Sequence, residues 1–222
     1  MDRNSKNKIC AAVICGAFLL GALGCLGISP REAERMTERN EAQTETTAVS
    51  QTEISPPSVS ASSSVLIDEN GEVLYEKNAD EKSYPASTTK IMTALVTLEK
   101  LDELGLDKKS EIIVPEEAVG IEGSSIYLKK GERLTIEELL YGLMLRSGND
   151  SAAALAACMG GSLGEFVSMM NERAAALGCS GTHFANTHGM HDSEHYTTAH
   201  DMFLIAREGM RHALFAQLVG RS

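Results

Sequence analysis

Apolar positions fall along this chain in three successive patterns. The first is continuous: Arg3, Lys6 and Lys8 precede an apolar run from Ile9 to Ile28. A charged start followed by such a run has the form of an export signal, and about 20 residues is also enough to span a bilayer. Basic residues ahead of the run place the N-terminus in the cytoplasm and the rest beyond the membrane. Residues 1–28 are therefore expected to be a signal peptide or membrane anchor. Ala22-Leu23-Gly24 offers a cleavage site, and Leu23-Gly24-Cys25 loosely resembles a lipoprotein box. The second pattern is sparse. From Ser29 to Ser63 Thr, Glu, Gln and Ser dominate, with Pro56-Pro57 near the end. Too few apolar positions remain to build a core, so residues 29–63 read as a disordered tether with a reach of about 30 Å.

The third pattern, over 64–222, is periodic and predicts a folded domain. Val65-Leu66-Ile67 and Val73-Leu74-Tyr75 flank Asp68-Glu69-Asn70-Gly71, which predicts a hairpin turning at Asn-Gly. Ile91, Ala94, Leu95, Leu98 and Leu101 form a helical stripe, which predicts a helix from about Ser87 to Leu104 ended by Gly105. Ile112-Ile113-Val114 predicts a short strand. Thr135 and Glu138 have capping-box spacing for a helix to Arg146. An alanine-rich helix is expected over 150–159, closed by Gly160-Gly161. Ser162 and Glu165 open another, which turns Phe166, Met169, Met170 and Leu177 inward and stops at Gly178. Thr198 and Asp201 open a last helix, expected to reach Leu214. Strands followed by a run of helices argue for α+β, with helices on an antiparallel sheet. A lone hairpin needs further strands, and nothing after Asp201 supplies them.

Composition narrows the function. The chain has 222 residues and is 43% hydrophobic, which suits a packed core. Its formal net charge of -11 argues against nucleic-acid binding, which needs basic residues against phosphate. Three of its five cysteines sit in the leading apolar run, leaving Cys158 and Cys179 in the domain, where a disulfide is possible and two free or buried thiols are the favoured reading.

The chemistry lies in Ser87-Thr88-Thr89-Lys90 and Ser147-Gly148-Asn149. A serine hydroxyl is a poor nucleophile until a neighbouring base takes its proton. Residues three apart share a helical face, so the Lys90 amine can reach the Ser87 hydroxyl. The amine becomes a base once burial lowers its pKa. Ser147 and Asn149 add a hydroxyl and an amide that can face this pair.

Both motifs, in this order, resemble those of β-lactamases and penicillin-binding proteins. The flanks resemble one branch, the serine D-Ala-D-Ala carboxypeptidases or low-molecular-mass penicillin-binding proteins. The segment Tyr84-Pro85-Ala86-Ser87-Thr88-Thr89-Lys90-Ile91-Met92-Thr93 looks like the nucleophile segment of that family. Gly123-Ser124-Ser125-Ile126, Leu139 to Met144, Asn186-Thr187-His188-Gly189-Met190 and His195 to Ala199 resemble its later segments. The resemblance runs from about Ser64 to Arg211.

It implies a β-lactamase/transpeptidase-like α+β fold. It also implies removal of the terminal D-alanine from peptidoglycan stem peptides through an acyl-enzyme. Ser87 would be the nucleophile, Lys90 the general base and Ser147 a proton relay, while Asn149 would orient Lys90 or the substrate. No cofactor or metal is implied. Stem peptides, inhibitory β-lactams and, through the N-terminus, the cytoplasmic membrane are the expected partners, in the cell envelope.

Lys-Thr-Gly, the third motif of the family, does not occur in this sequence. In the family it lies on a strand downstream of the residues matched here, binding the substrate carboxylate and supplying an oxyanion donor. The domain is accordingly expected to be an incomplete copy lacking its C-terminal strands, and full activity is not expected of these 222 residues alone. Three alternatives stand beside this reading. A non-catalytic peptidoglycan-binding protein would account for the missing motif. A β-lactamase would need a deacylating glutamate, for which Glu165 is available. A zinc site could use His183, His188, His191, His195 and His200 with Asp192 and Glu194. Their loop setting lacks the helical His-Glu-x-x-His spacing and favours a structural polar loop.

Overall fold

A computed structural model describes residues 58–68 and 70–220. The expected leader and most of the expected tether lie outside the described residues. The last residues of the tether are bound: Lys77 Nζ donates to the carbonyls of Val59 and Ala61, and Asn78 Nδ2 to that of Ser62.

Strands β1 (Ser64–Ile67) and β2 (Val73–Lys77) form the expected antiparallel hairpin, with Ser64 opposite Lys77. The connection is longer than a two-residue turn, and Asp68 organises it. Its carboxylate accepts the N–H groups of Asn70 and Glu72, and Gly71 takes a φ of +89°. The register shifts by one residue between Leu66 and Ile67, which leaves Leu74 as the extra residue of a bulge.

Helix α1 (Thr89–Leu104) ends where Gly105 adopts the left-handed conformation, as expected. Its start differs. Ala86–Thr88 form a 3-10 turn, so the α-helix begins two residues after Ser87. Strand β3 (Glu111–Ile113) pairs with β4 (Arg133–Thr135), Ile112 opposite Leu134. Three residues are too few to show alternation, and β4 left no periodic signal. Thr135 then caps α2 (Ile136–Leu145) through the expected capping box with Glu138. Helix α3 runs from Asn149 to Gly160 and α4 from Leu163 to Ala176, with Ser162 as its cap.

The expected last helix is two. Helix α5 (Ala199–Gly209) breaks, and α6 (Ala213–Val219) follows. At Gly209 a Cβ would meet the Phe215 ring at 3.1 Å. The buried Phe215 ring therefore fits against α5 only where that helix lacks a side chain, and the chain turns to deliver it.

The described residues thus form an α+β arrangement: two small antiparallel sheets and a helical cluster. Helix α3 lies at its centre, against α1, α2 and α4. Every residue from Asn149 to Ala156 is buried, as a helix enclosed on all sides requires. Its alanines let neighbouring helices close in, and Leu95, Leu140, Leu143, Leu155 and Phe166 fill the layers between. Each such side chain contributes roughly 1.5–3 kcal/mol by burial. Two of the expected inward residues, Met169 and Leu177, are only partly buried, while Met170 is fully enclosed. Among the described residues no single helix is long and apolar enough to cross a membrane.

Candidate active site

The 3-10 turn sets the first contact. With three residues per turn, positions i and i+3 eclipse, so Lys90 lies directly over Ser87. Lys90 Nζ is 3.3 Å from Ser87 Oγ and donates to the carbonyl of His188 at 2.7 Å. Lys90 is 2% exposed, whereas Ser87 opens to solvent. Burial lowers the lysine pKa to about 8. A useful fraction of the amine is then uncharged near neutral pH, which a solvent-exposed lysine would not provide.

The second motif arrives from the start of α3. Ser147 Oγ donates to Ser87 Oγ at 3.0 Å, across sixty residues of chain. Ser147 holds a left-handed φ of +55°, and Ala86, on the other flank of Ser87, a φ of +47°. Neither is glycine, so each costs on the order of 1 kcal/mol that surrounding contacts must offset. Asn149 is the first residue of α3, one position earlier than the helix start expected from sequence. Of the two partners expected for its amide, Lys90 is not the one bonded: Nδ2 donates to the Glu122 carbonyl at 2.6 Å. Its backbone N–H donates to the Ser124 carbonyl. The amide therefore ties segment 122–124 to the motif, and Gly123 at φ +98° lets the two approach, since a Cβ there would sit 2.7 Å from Nδ2.

In sequence Asp150 marks only a helix start, yet in the fold it organises the same wall. It is 1% exposed and accepts from Ser125 Oγ and from the N–H groups of Ile126, Leu128 and Ser151. Burial raises its pKa, but the Leu128 N–H, the Ser125 hydroxyl and the other donors outweigh burial and leave it below the usual carboxylate value. The Asp150→Asn variant places an amide NH2 against these donors. We expect it to lose about 2–4 kcal/mol in denaturant unfolding. An unchanged midpoint would show that the carboxylate does not anchor the loop.

The third wall is the loop before α5. Backbone bonds between Ser83 and Thr197 fasten it to the segment leading into Ser87, and those between His183 and Tyr196 tie the loop to itself. Gly189, at φ +91°, lies against the Ala86 carbonyl so closely that a Cβ would fall 1.8 Å from that oxygen. The histidines of this loop have separate engagements. His183 Nδ1 bonds the Glu194 carbonyl, His188 Nδ1 accepts the Met190 N–H, and His191 packs edge-on against Tyr84. His195 is enclosed, and His200 faces Asp80. Among the described residues no three His, Cys, Asp or Glu side chains gather as a metal-binding group. Glu165 is engaged at its helix start, where its carboxylate accepts from Ser162 Oγ. Cys158 is half-buried and Cys179 buried, both as free thiols.

Known proteins resemble this chain in sequence and in fold. Residues 50–221 match the sequence family described as D-alanyl-D-alanine carboxypeptidase. The chain is 40% identical over 161 residues to the D-alanyl-D-alanine carboxypeptidase DacF of Bacillus subtilis (strain 168), covering 72% of this chain and 41% of that protein. It is 38% identical to DacA of Escherichia coli (strain K12), covering 70% of this chain and 40% of DacA. The chain thus spans about two fifths of the length of these curated relatives. Among solved structures, the D-alanyl-D-alanine carboxypeptidase DacD from Francisella tularensis aligns with a TM-score of 0.69 at 37% identity, over 73% of this chain and 39% of that one. Penicillin binding protein 6B from Escherichia coli aligns with a TM-score of 0.71 at 30% identity, over 75% of this chain and 55% of that one. Agreement of this extent, in sequence from residue 50 onward and in three-dimensional fold, means that the chain belongs to the D-alanyl-D-alanine carboxypeptidase family.

Proposed function

We propose that residues 64–222 carry the nucleophilic half of a serine D-Ala-D-Ala carboxypeptidase acting on peptidoglycan stem peptides. The observation that supports this most is the pair of contacts at Ser87: a buried amine of lowered pKa on one side and the Ser147 hydroxyl on the other. Ser87 Oγ attacks the carbonyl between the two terminal D-alanines and gives its proton to Lys90 Nζ. The C–N bond of the tetrahedral adduct then breaks. The departing amine takes a proton through Ser147, leaving the peptide esterified on Ser87. Water hydrolyses that ester and restores the serine. Asn149 holds segment 122–124 as the wall beside the substrate. A β-lactam presents a similar amide and acylates the same oxygen. The basic residues and apolar run at the N-terminus support an envelope location with a tether to the cytoplasmic membrane.

The test is covalent labelling of the full-length protein with a fluorescent penicillin, alongside D-alanine release from a stem peptide ending in D-Ala-D-Ala. A single adduct mapped to Ser87, with both signals lost in Ser87→Ala, is the expected result. D-Alanine release that persists in Ser87→Ala overturns the assignment.

A further inference from the structure

Lys90, Ser147 and Asn149 do not account for how the backbone at the nucleophile is aimed. Three observations bear on it. Ala86 is a non-glycine residue at φ +47°, a conformation that needs external support. Its carbonyl accepts the Thr89 Oγ1 hydrogen at 2.7 Å, on the side closed by Gly189. Thr89 Oγ1 in turn lies 2.7 Å from His195 Nε2, both residues being fully enclosed.

The direction of the His195 bond follows from its other nitrogen. The Ala185 N–H donates to His195 Nδ1 at 3.0 Å, so Nδ1 is an acceptor and carries no proton. The ring hydrogen must then sit on Nε2, which donates to Thr89 Oγ1. Thr89 has one hydroxyl hydrogen, and with its lone pair facing His195 that hydrogen goes to the Ala86 carbonyl. Burial, then the neighbouring His188, lowers the His195 pKa to about 4, with Asp192 opposing and His183 adding to the effect, so the ring is neutral at neutral pH. The chain of donors therefore has one polarity: His195 to Thr89 to Ala86.

A trans peptide is planar, and its C=O and N–H point in opposite directions. Pinning the Ala86 oxygen inward thus turns the Ser87 N–H outward. Among the described residues that N–H has no protein acceptor. It belongs to the same residue as the proposed attacking oxygen, which leaves it free to meet the substrate carbonyl that Ser87 Oγ would attack.

We propose that His195 and Thr89 are positioning residues that hold the Ala86–Ser87 peptide so that the Ser87 N–H donates to the oxyanion. The inference rests on the acyl-enzyme reading above. It separates the Thr89 hydroxyl from the Thr89 methyl, and the two nitrogens of His195 from each other.

The experiment measures acylation of the full-length protein by a fluorescent penicillin under single-turnover conditions, which resolves binding from acylation. Thr89→Val keeps the shape and removes the hydroxyl; its acylation step is expected to slow by roughly 10–100-fold with initial binding unchanged. Thr89→Ser restores the hydroxyl and with it most of the rate. His195→Gln, whose amide nitrogen can replace Nε2, is expected to retain more activity than His195→Asn, which keeps only the acceptor for Ala185. Imidazole NMR supplies a reading independent of reaction: an Nε2-protonated tautomer in the wild type. Thr89→Val acylating at the wild-type rate, Thr89→Ser as slow as Thr89→Val, or an Nδ1-protonated His195 each overturns the inference. A wild-type protein that forms no Ser87 adduct overturns the carboxypeptidase reading itself, a distinct result.

Discussion

Lys90→Met is expected to slow acylation of Ser87 by about a thousandfold, within the range for loss of a positioned general base. The wild-type pH profile should carry the same signature. Only the uncharged amine can take the serine proton, and its pKa is about 8. The acylation rate should therefore rise with pH through about 8 and level off above it, and the acid limb should vanish in Lys90→Met. Stability should rise with pH as well, but over a higher range. Burial holds the folded-state pKa below the ordinary lysine value of 10.5, so between these values the unfolded chain binds more protons than the folded one. Stability from this group accordingly increases as pH rises from about 8 to 10.5. At pH 7 the charged amine opposes folding, and methionine removes that cost. A melting temperature at pH 7 that does not fall in Lys90→Met, together with the lost rate, is the expected pair of results. A rate independent of pH between 6 and 9 in the wild type would contradict the assignment of Lys90 as base.

Gly189→Ala is expected to be the most damaging single-methyl change in the domain. The added Cβ would lie 1.8 Å from the Ala86 oxygen and 2.3 Å from its carbon, and both are backbone atoms. Relief requires either rotating the Ala86–Ser87 peptide or withdrawing the loop that carries the His188 carbonyl, which holds Lys90. We expect a loss of more than about 3 kcal/mol in stability and of at least about a hundredfold in acylation. Gly131→Ala is the matched control. Gly131 also has a positive φ, of +79°, but its Cβ would meet nothing within 4 Å. It should cost only about 1 kcal/mol and leave labelling at Ser87 intact. Equal melting temperatures for the two variants would show that backbone conformation, not the approach to Ala86, sets the requirement at residue 189.

Much of the fold was legible because its signals are local. Thr135 and Glu138 lie three residues apart, and each satisfies a backbone N–H of the other's turn. Gly105, Gly161 and Gly178 all take the positive φ that ends a helix. Other features could not be read locally. The break between α5 and α6 depends on where the Phe215 ring lands, and β4 exists because β3 lies beside it. Asn149 illustrates the same limit within the site. Its identity marked the motif, but the partner of its amide, Glu122, was fixed by a loop packed from another part of the chain.

By itself the amino-acid order determined the helix boundaries set by caps and glycines, the pairing of Ser87 with Lys90, and the likeness of both motifs to one family. Those depend on residues within a turn or two of each other, where backbone geometry leaves few options. Only the tertiary structure decided that Ser147 touches Ser87, that Asp150 binds the 125–128 loop, and that His195 bonds Thr89 across 106 positions. Such contacts depend on how helices pack around α3. Close packing is a property of the whole set of side-chain shapes, and no local pattern encodes it.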